Sequence, residues 1–249
     1  MRPSYRPALP PKPQQYRTQV LDHLGLVAGM FEELGITEVI DQATQQDPEM
    51  RMVTAGHAVK AMVLNGLGFL KQQLYLVPHF FQNKPLSRLI APGMQASHLN
   101  DDTLGRTLDT LYDYGVTALY SLIAATAAKR LGLASGFAHL DSTSFHVDGR
   151  YNSDEEPDEH VIHVTRGYSR DQRPDLNQVM LDLVVEHHAG IPMLMKPLSG
   201  NSSDTQDFGQ IITDHIAQLQ LTYGTTCLGA DSAPREKSRF RCWSRIVSG

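Results

Sequence analysis

"GFAHLDSTSFHV", Gly136 to Val147, is where the chain changes period. Upstream, from Leu24 to Leu133, apolar residues recur at steps of three or four, the spacing of helices. Within this stretch they alternate with polar residues and include Phe, Thr and Val, the pattern of a half-buried strand. A carboxylate, Asp141, sits in the middle of it.

Toward the C-terminus, a polar stretch leads to "QVMLDLVVEHHAGIPMLMKPL" (Gln178 to Leu198), which reads as two strands joined at "HHAG" in a hairpin. "NSSDTQDFGQIITDHIAQLQL" follows, with Asn201 or Ser203 as N-cap and Phe208, Ile211, Ile212, Ile216 and Leu219 on one helical face. "TTCLGADS" then returns to strand and reaches Asp231. A strand that returns after a crossover helix lies parallel to and beside the first, so this order brings Asp141 and Asp231 toward each other. Hard divalent cations such as Mg²⁺ take one or two carboxylates with water and substrate phosphate. A pair of such ions stabilises the attacking and leaving oxygens of a phosphoryl displacement. An Asp at a strand end is equally at home as a turn former or a helix cap, so the spacing alone leaves both readings open.

Toward the N-terminus, "TAGHAVKAMVLNGLGFL" (Thr54 to Leu70) predicts a helix capped by Thr54, with Ala55, Val59, Met62, Val63 and Leu67 on one face. "NDDTLGRTLDTLYDYGVTALYSLIAATAAKRLG" predicts a long helix or a pair broken at Gly115. Its apolar face carries Leu104, Leu108, Leu111, Leu119, Leu122 and Ile123, with acids in the first turn and Lys129 and Arg130 in the last. "RPSYRPALPPKPQQYRTQ", from Arg2, is proline-rich and basic and reads as an extended arm. The expected organisation is an arm over 1–20, a helical domain for DNA binding or assembly over 21–135, an α/β domain over 136–233 and a basic tail over 234–249. The fold class is α+β.

Charge is unevenly spread. Residues 1–135 carry 12 Lys/Arg against 11 Asp/Glu, a net of +1. Residues 136–233 carry 5 against 15, a net of −10, and 234–249 carry 5 against one. An acidic segment meets phosphates only with cations between them. No apolar stretch is long enough for a membrane span and no signal-peptide block opens the chain, so the reading is a cytoplasmic protein without membrane contact. The two cysteines, Cys227 and Cys242, are too few for a disulfide framework or a cysteine zinc site.

Five strings, "LNDDTLGRTLDTLYDYG", "HLDSTSFHV", "TRGYSRDQRPDLNQV", "KPLSGNSSD" and "GADSA", together resemble the DDE transposases of bacterial insertion sequences. The likeness is to the insertion-sequence-four superfamily and its sixteen-thirty-four branch, from about Leu21 to Ser232, and "GYSRDQRPDL" is its most specific carrier. The resemblance implies a ribonuclease-H-like core of three antiparallel strands, a helix and a fourth strand. It implies Asp141 and Asp231 as the first two catalytic and metal-ligating acids, with Mg²⁺ or Mn²⁺ as cofactor. It also implies as partners the DNA of the element's terminal inverted repeats and a second copy or an intact transposase. The third acid of such a site, a Glu in a later helix, has no counterpart. The acid after Asp231 is Glu236, in "APREKSRFRC", too close to form the intervening elements. The expectation is therefore a chain truncated before the third acid and inactive in strand cleavage, its tail the product of another frame or of neighbouring DNA. The alternative is a DNA-binding regulator or inhibitor of transposition acting through the helical domain.

Arg166, Arg170 and Arg173 with Tyr168 in "TRGYSRDQRPDL" are candidate DNA contacts, the arginines for phosphates and the tyrosine for stacking; ion pairs with Asp171 and Asp175 compete with that role. His139, His146, His160, His163, His187 and His188 permit a His/Asp metal hydrolase, but no HxxxH or HxxEH spacing occurs. "DEEPDEH" (Asp154 to His160) reads as a solvated acidic loop. Walker, GxGxxG and GxSxG motifs are absent.

Overall fold

The computed structural model describes residues 18–19, 21–45, 52–67, 73–134, 136–149, 151, 161–167, 173–202, 215, 217–224, 227–230 and 240–242. It is an α+β protein: helices up to Leu131, then a mixed sheet. The arm and the "DEEPDEH" loop lie outside the described residues, as does most of the helix expected from Asn201. Of that helix, residues 217–223 are helical.

The helical half begins with α1 (Leu24–Leu34) and α2 (Ile36–Ala43), separated by Gly35 in the left-handed conformation that ends α1. Arg130, from the last turn of α7 (Val116–Leu131), donates to the Glu33 carbonyl at 2.8 Å, so a guanidinium covers the carbonyl end of α1. α3 (Ala55–Gly66) starts as the sequence predicts, Thr54 Oγ1 accepting the His57 N–H at 3.2 Å. Asp41 of α2, itself buried, accepts the Gly56 N–H at 2.7 Å and satisfies a second amide of the same first turn. Short turns follow, α4 (Val77–Phe81) and α5 (Leu86–Leu89), before α6 (Asp101–Tyr114). Asn100 caps α6 and Gly115, at φ 96°, breaks it from α7 as the sequence predicts.

The main helical core gathers Leu24, Ala58, Ala61, Leu64, Val77, Phe81, Leu89, Leu99 and Leu104. Each large aliphatic side chain removed from water there contributes about 1.5–3 kcal/mol. The expected face of α3 is turned. Ala58, Ala61 and Leu64 are buried, whereas Val63 and Leu67 are exposed and Val59 and Met62 lie at the margin. Ala58, Ala61 and Leu64 pack into the core with Leu24 and Ala28 of α1, Val77 and Phe81 of α4 and Leu104 of α6, while α2 comes close at the first turn, where a Cβ on Gly56 would meet the Thr37 carbonyl oxygen at 2.4 Å. Leu104 and Leu119 are buried as expected, Leu111 and Ile123 pack against a satellite cluster, and Leu108 and Leu122 face solvent.

The sheet has the order β3-β2-β1-β4-β5. β1 (Phe137–Val147) pairs antiparallel with β2 (Asn177–Glu186), and β2 with β3 (Pro192–Ser199). β4 (Cys227–Ala230) runs parallel to β1 on its other side. β5 (Phe240–Cys242) lies antiparallel against β4, so the basic tail holds a strand that its sequence did not announce. Cys227, whose Cα partner on β5 is Cys242, is disulfide-bonded.

One face of the sheet is covered by α7 and residues 217–223. Ala128, Ala138, Leu140, Val184, Met193, Leu194, Leu219, Tyr223 and Leu228 form that core. α7 therefore belongs to both halves, and Tyr120 on it donates to the Pro192 carbonyl at 3.2 Å. The other face is more open: Phe137 and Phe145 are each about half exposed, and Val179, Leu181, Leu183 and Val185 are half-buried. The sequence predicts the apolar positions of Val179 to Val185 buried. Met180 and Val184 are, with Asp182 between them on the same face, because a strand covered on one side alone alternates. Among the described residues no helix is long and apolar enough to cross a membrane.

Candidate functional site

Asp141 lies on β1 with Phe137, His139, Thr143 and Phe145, the exposed positions of an eBeBeBe alternation whose buried members are Ala138, Leu140 and Ser142. Its carboxylate projects from the open face, and Oδ1 accepts the Ser142 N–H at 2.9 Å. The parallel register with β4 pairs Phe137 with Cys227, Ala138 with Leu228, His139 with Gly229 and Leu140 with Ala230. Asp141 is the next residue of one strand after the last pair, and Asp231 is the next residue of the other chain segment. Asp231 itself lies outside the described residues, as does Glu236.

The same pairing separates the other carboxylates of the sheet from Asp141. Asp182 and Glu186 of β2 are buried, and the Cα partners of Asp182 are Ser142 and Lys196, on the helix-covered face. Glu186 shapes the hairpin, its carboxylate accepting the His188 N–H at 2.7 Å and the Ala189 N–H, with Gly190 at φ 67° completing the turn. Sequence reading missed these two buried acids. The signal was there in the alternation, since Gln178, Met180, Asp182, Val184 and Glu186 fall on one face of "QVMLDLVVE".

Two histidines join Asp141's face. His139 Nε2 and His187 Nδ1 are 2.7 Å apart, and His187 stacks edge-on against His188 at 5.2 Å between ring centres. One imidazole of that pair donates to the other. No group of three His, Cys, Asp or Glu positioned for a metal exists among the described residues. The exposed carboxylate of Asp141 is a hard oxygen donor of the kind that Mg²⁺-like cations take.

The candidate DNA contacts are elsewhere on the sheet. Thr165 bridges to Gln178, whose β1 partner is His146. That places Arg166 against the start of β2, on the side away from β1 and level with its far end, where His146 is five residues from Asp141, roughly 17 Å at about 3.3 Å per residue. The segment is seated by glycine contacts: Gly200 N–H donates to the His163 carbonyl at 3.0 Å and Gln178 Nε2 donates to the Gly200 carbonyl at 2.7 Å. A Cβ on Gly200 would meet the Gln178 carbonyl oxygen at 2.1 Å, which is why "TRG" and "LSG" both need glycine. Arg173 is exposed and forks onto Asp175, Nε and Nη2 each 2.9 Å from a carboxylate oxygen. That hydrogen-bonded pairing holds the Asp175 carboxyl down at about 2. Tyr168 and Arg170 lie outside the described residues.

No curated protein and no solved structure matches the chain. Residues 16–125, the helical half as far as the middle of α7, match the family model described as Domain of unknown function (DUF4277).

Proposed function

We propose that this chain carries the first part of a metal-dependent DNA transposition core, with Asp141 and Asp231 as two of its acids. One observation carries the reading: Leu140 pairs in parallel with Ala230, and each is followed immediately by an aspartate. If both strands continue by one residue, the two Cα atoms stand about 4.8 Å apart with side chains on the same open face. The strand order β3-β2-β1-β4, antiparallel except for β1 with β4, supports a ribonuclease-H-like core. The fifth strand departs from such a core, because it follows β4 directly and runs antiparallel to it.

Bound there, Mg²⁺ or Mn²⁺ would supply activation of the attacking oxygen and neutralisation of the leaving one at a DNA phosphodiester. Asp141 would ligate from a rigid central strand, its orientation fixed by the Ser142 amide. The sheet's acidity excludes bare phosphate and makes DNA approach dependent on that cation. Within these 249 residues the acid that follows Asp231 is Glu236, five residues on, so the chain holds two anchoring carboxylates where paired-ion chemistry uses three. The two acids are the part of the site that holds the ion.

Mg²⁺- or Mn²⁺-dependent nicking of a duplex bearing the element's terminal inverted repeat tests this, with Asp141→Ala as control. No nicking by the 249-residue chain is expected. Nicking that vanishes in the control would show that another residue completes the site. The second reading, a regulator acting through the helical half, is favoured by α7 serving both cores, which lets the helical domain fold with the sheet as its base. It predicts repeat-specific binding that survives Asp141→Ala.

A further inference from the structure

The helical half has its own polarity of charge. Between Met50 and Asn100 the chain contains no Asp or Glu, while Arg51, Lys60, Lys71, Lys84 and Arg88 fall within it. The acids of this half lie before it, up to Glu49, and after it, on α6. Where α4, α5 and the turn at Ala96–Leu99 meet, they enclose a groove of about 410 Å³ lined by Gln19, Gln82, Lys84, Ser87, Arg88 and Gln95 among others. Among the described residues its lining contains two cations, three amides and a hydroxyl, and no carboxylate.

The two cations differ. Lys84 is committed: Nζ is 3.0 Å from Asp22 Oδ2 and sits 5.7 Å over the Phe80 ring. Arg88 is exposed, and among the described residues its guanidinium makes no ion pair or hydrogen bond. The chain entering from the N-terminus is pinned to the same groove, Gln19 Nε2 donating to the Lys84 carbonyl at 3.0 Å. The residues that precede Thr18 include Arg2, Arg6, Lys12 and Arg17 and no acid.

We propose that this groove is a nucleic-acid backbone site, Arg88 supplying the phosphate contact and the exposed amides of Gln82 and Gln95 with the Ser87 hydroxyl supplying neutral donors. That set of side chains is the one that positions proteins on phosphates and sugars without reading sequence. A cation ligand is excluded by the want of any free carboxylate in the lining, and an apolar partner by the exposed amides. The proposal rests on DNA being the partner, and it separates that partner's seat from the metal-binding face of the sheet.

The test is fluorescence anisotropy of the full chain on a labelled random-sequence duplex across a salt series, with Arg88→Glu, Arg88→Lys and Ser87→Asp. Arg88→Glu and Ser87→Asp should each weaken binding at least tenfold at low salt, and Arg88→Lys should restore most of it. Loss of one phosphate contact should flatten the log–log salt slope by about 0.9 in Arg88→Glu. Arg88 and Ser87 are solvent-exposed, and unchanged thermal unfolding of the variants confirms an intact fold. Wild-type binding that the variants leave unaltered overturns the groove while leaving DNA as the partner. No wild-type binding to any duplex overturns both. Equal Arg88-dependent binding of poly-glutamate, with no preference for DNA, overturns the assignment in favour of an acidic protein partner.

Discussion

Gly56→Ala should destabilise the protein, although helix propensity alone says the reverse. Gly56 is in the first turn of α3, where replacing glycine with alanine is worth about 1 kcal/mol in favour of the helix. Its position against α2 reverses the sign. A Cβ there would meet the Thr37 carbonyl oxygen at 2.4 Å, Thr37 Cγ2 at 2.8 Å and Thr37 Cα at 2.9 Å. Two of the three are backbone atoms and cannot swing aside, so α2 and α3 must separate. Overpacking of this kind costs typically 1–3 kcal/mol. Separation also stretches the 2.7 Å bond from the Gly56 amide to buried Asp41, which costs a further part of about 1 kcal/mol. The net is a loss of about 1–2 kcal/mol, or roughly 2–8 °C in Tm for a chain of this size. Thermal unfolding followed by helical circular dichroism measures it. A Tm that rises by 2–4 °C, as about 1 kcal/mol of propensity would give, refutes the packing argument.

Three further outcomes are expected. Tyr223 is buried with its hydroxyl lacking a hydrogen-bond partner among the described residues, and burial pushes its phenol up to about 12. Tyr223→Phe should therefore leave the Tm unchanged or raise it; a fall equivalent to more than about 1 kcal/mol would mean the hydroxyl is satisfied after all. Burial lowers the His57 pKa below its ordinary 6.5, ahead of the opposing pull of Asp41. The unfolded chain then binds the proton more readily, so this contribution to stability is full above pH 6.5 and is lost as pH falls through it toward the folded value. His57→Gln should flatten the decline of denaturation midpoint between neutral and mildly acid pH, and an unaltered slope would assign that decline to other groups. Leu140→Ala should cost about 2–5 kcal/mol through the cavity left beneath α7, read as a shifted urea midpoint at constant slope; a loss under about 1 kcal/mol would place Leu140 outside the core.

Local signals in the sequence reached far into this fold. Thr54 and Gly115 punctuate helices through backbone chemistry that depends on a few neighbours, and both act where the sequence places them. β1 announces itself by alternation, because one of its faces is covered and the other open. The parallel return of β4 beside β1 follows from connection rules alone. What stayed hidden depends on partners distant in the chain. Which face of α3 is buried was decided by the core it shares with α1, α4 and α6, so alanines took the place that larger Val63 and Leu67 were expected to fill. Asp182 and Glu186 are buried against the polar-outside rule, since the register of β2 is fixed by its apolar neighbours and carries the acids inward with them. β5 has too few residues to show a period and is held by ladder bonds to β4. Of the candidate site, the strand bearing Asp141 was legible, whereas the remoteness of Arg166 from it was not: only the Thr165–Gln178 bridge puts that arginine at the opposite end of β1.

Binding of Mn²⁺ by wild type, Asp141→Asn, Asp231→Asn and the double variant, followed by the loss of the free-ion electron paramagnetic resonance signal, tests the central claim directly. Two carboxylates sharing one ion predict a single site that weakens at least tenfold in either single variant, with the double variant no weaker than the worse single, since the ligands act as a unit. Binding that is indifferent to Asp231→Asn, or losses that add independently, would contradict a site built across β1 and β4.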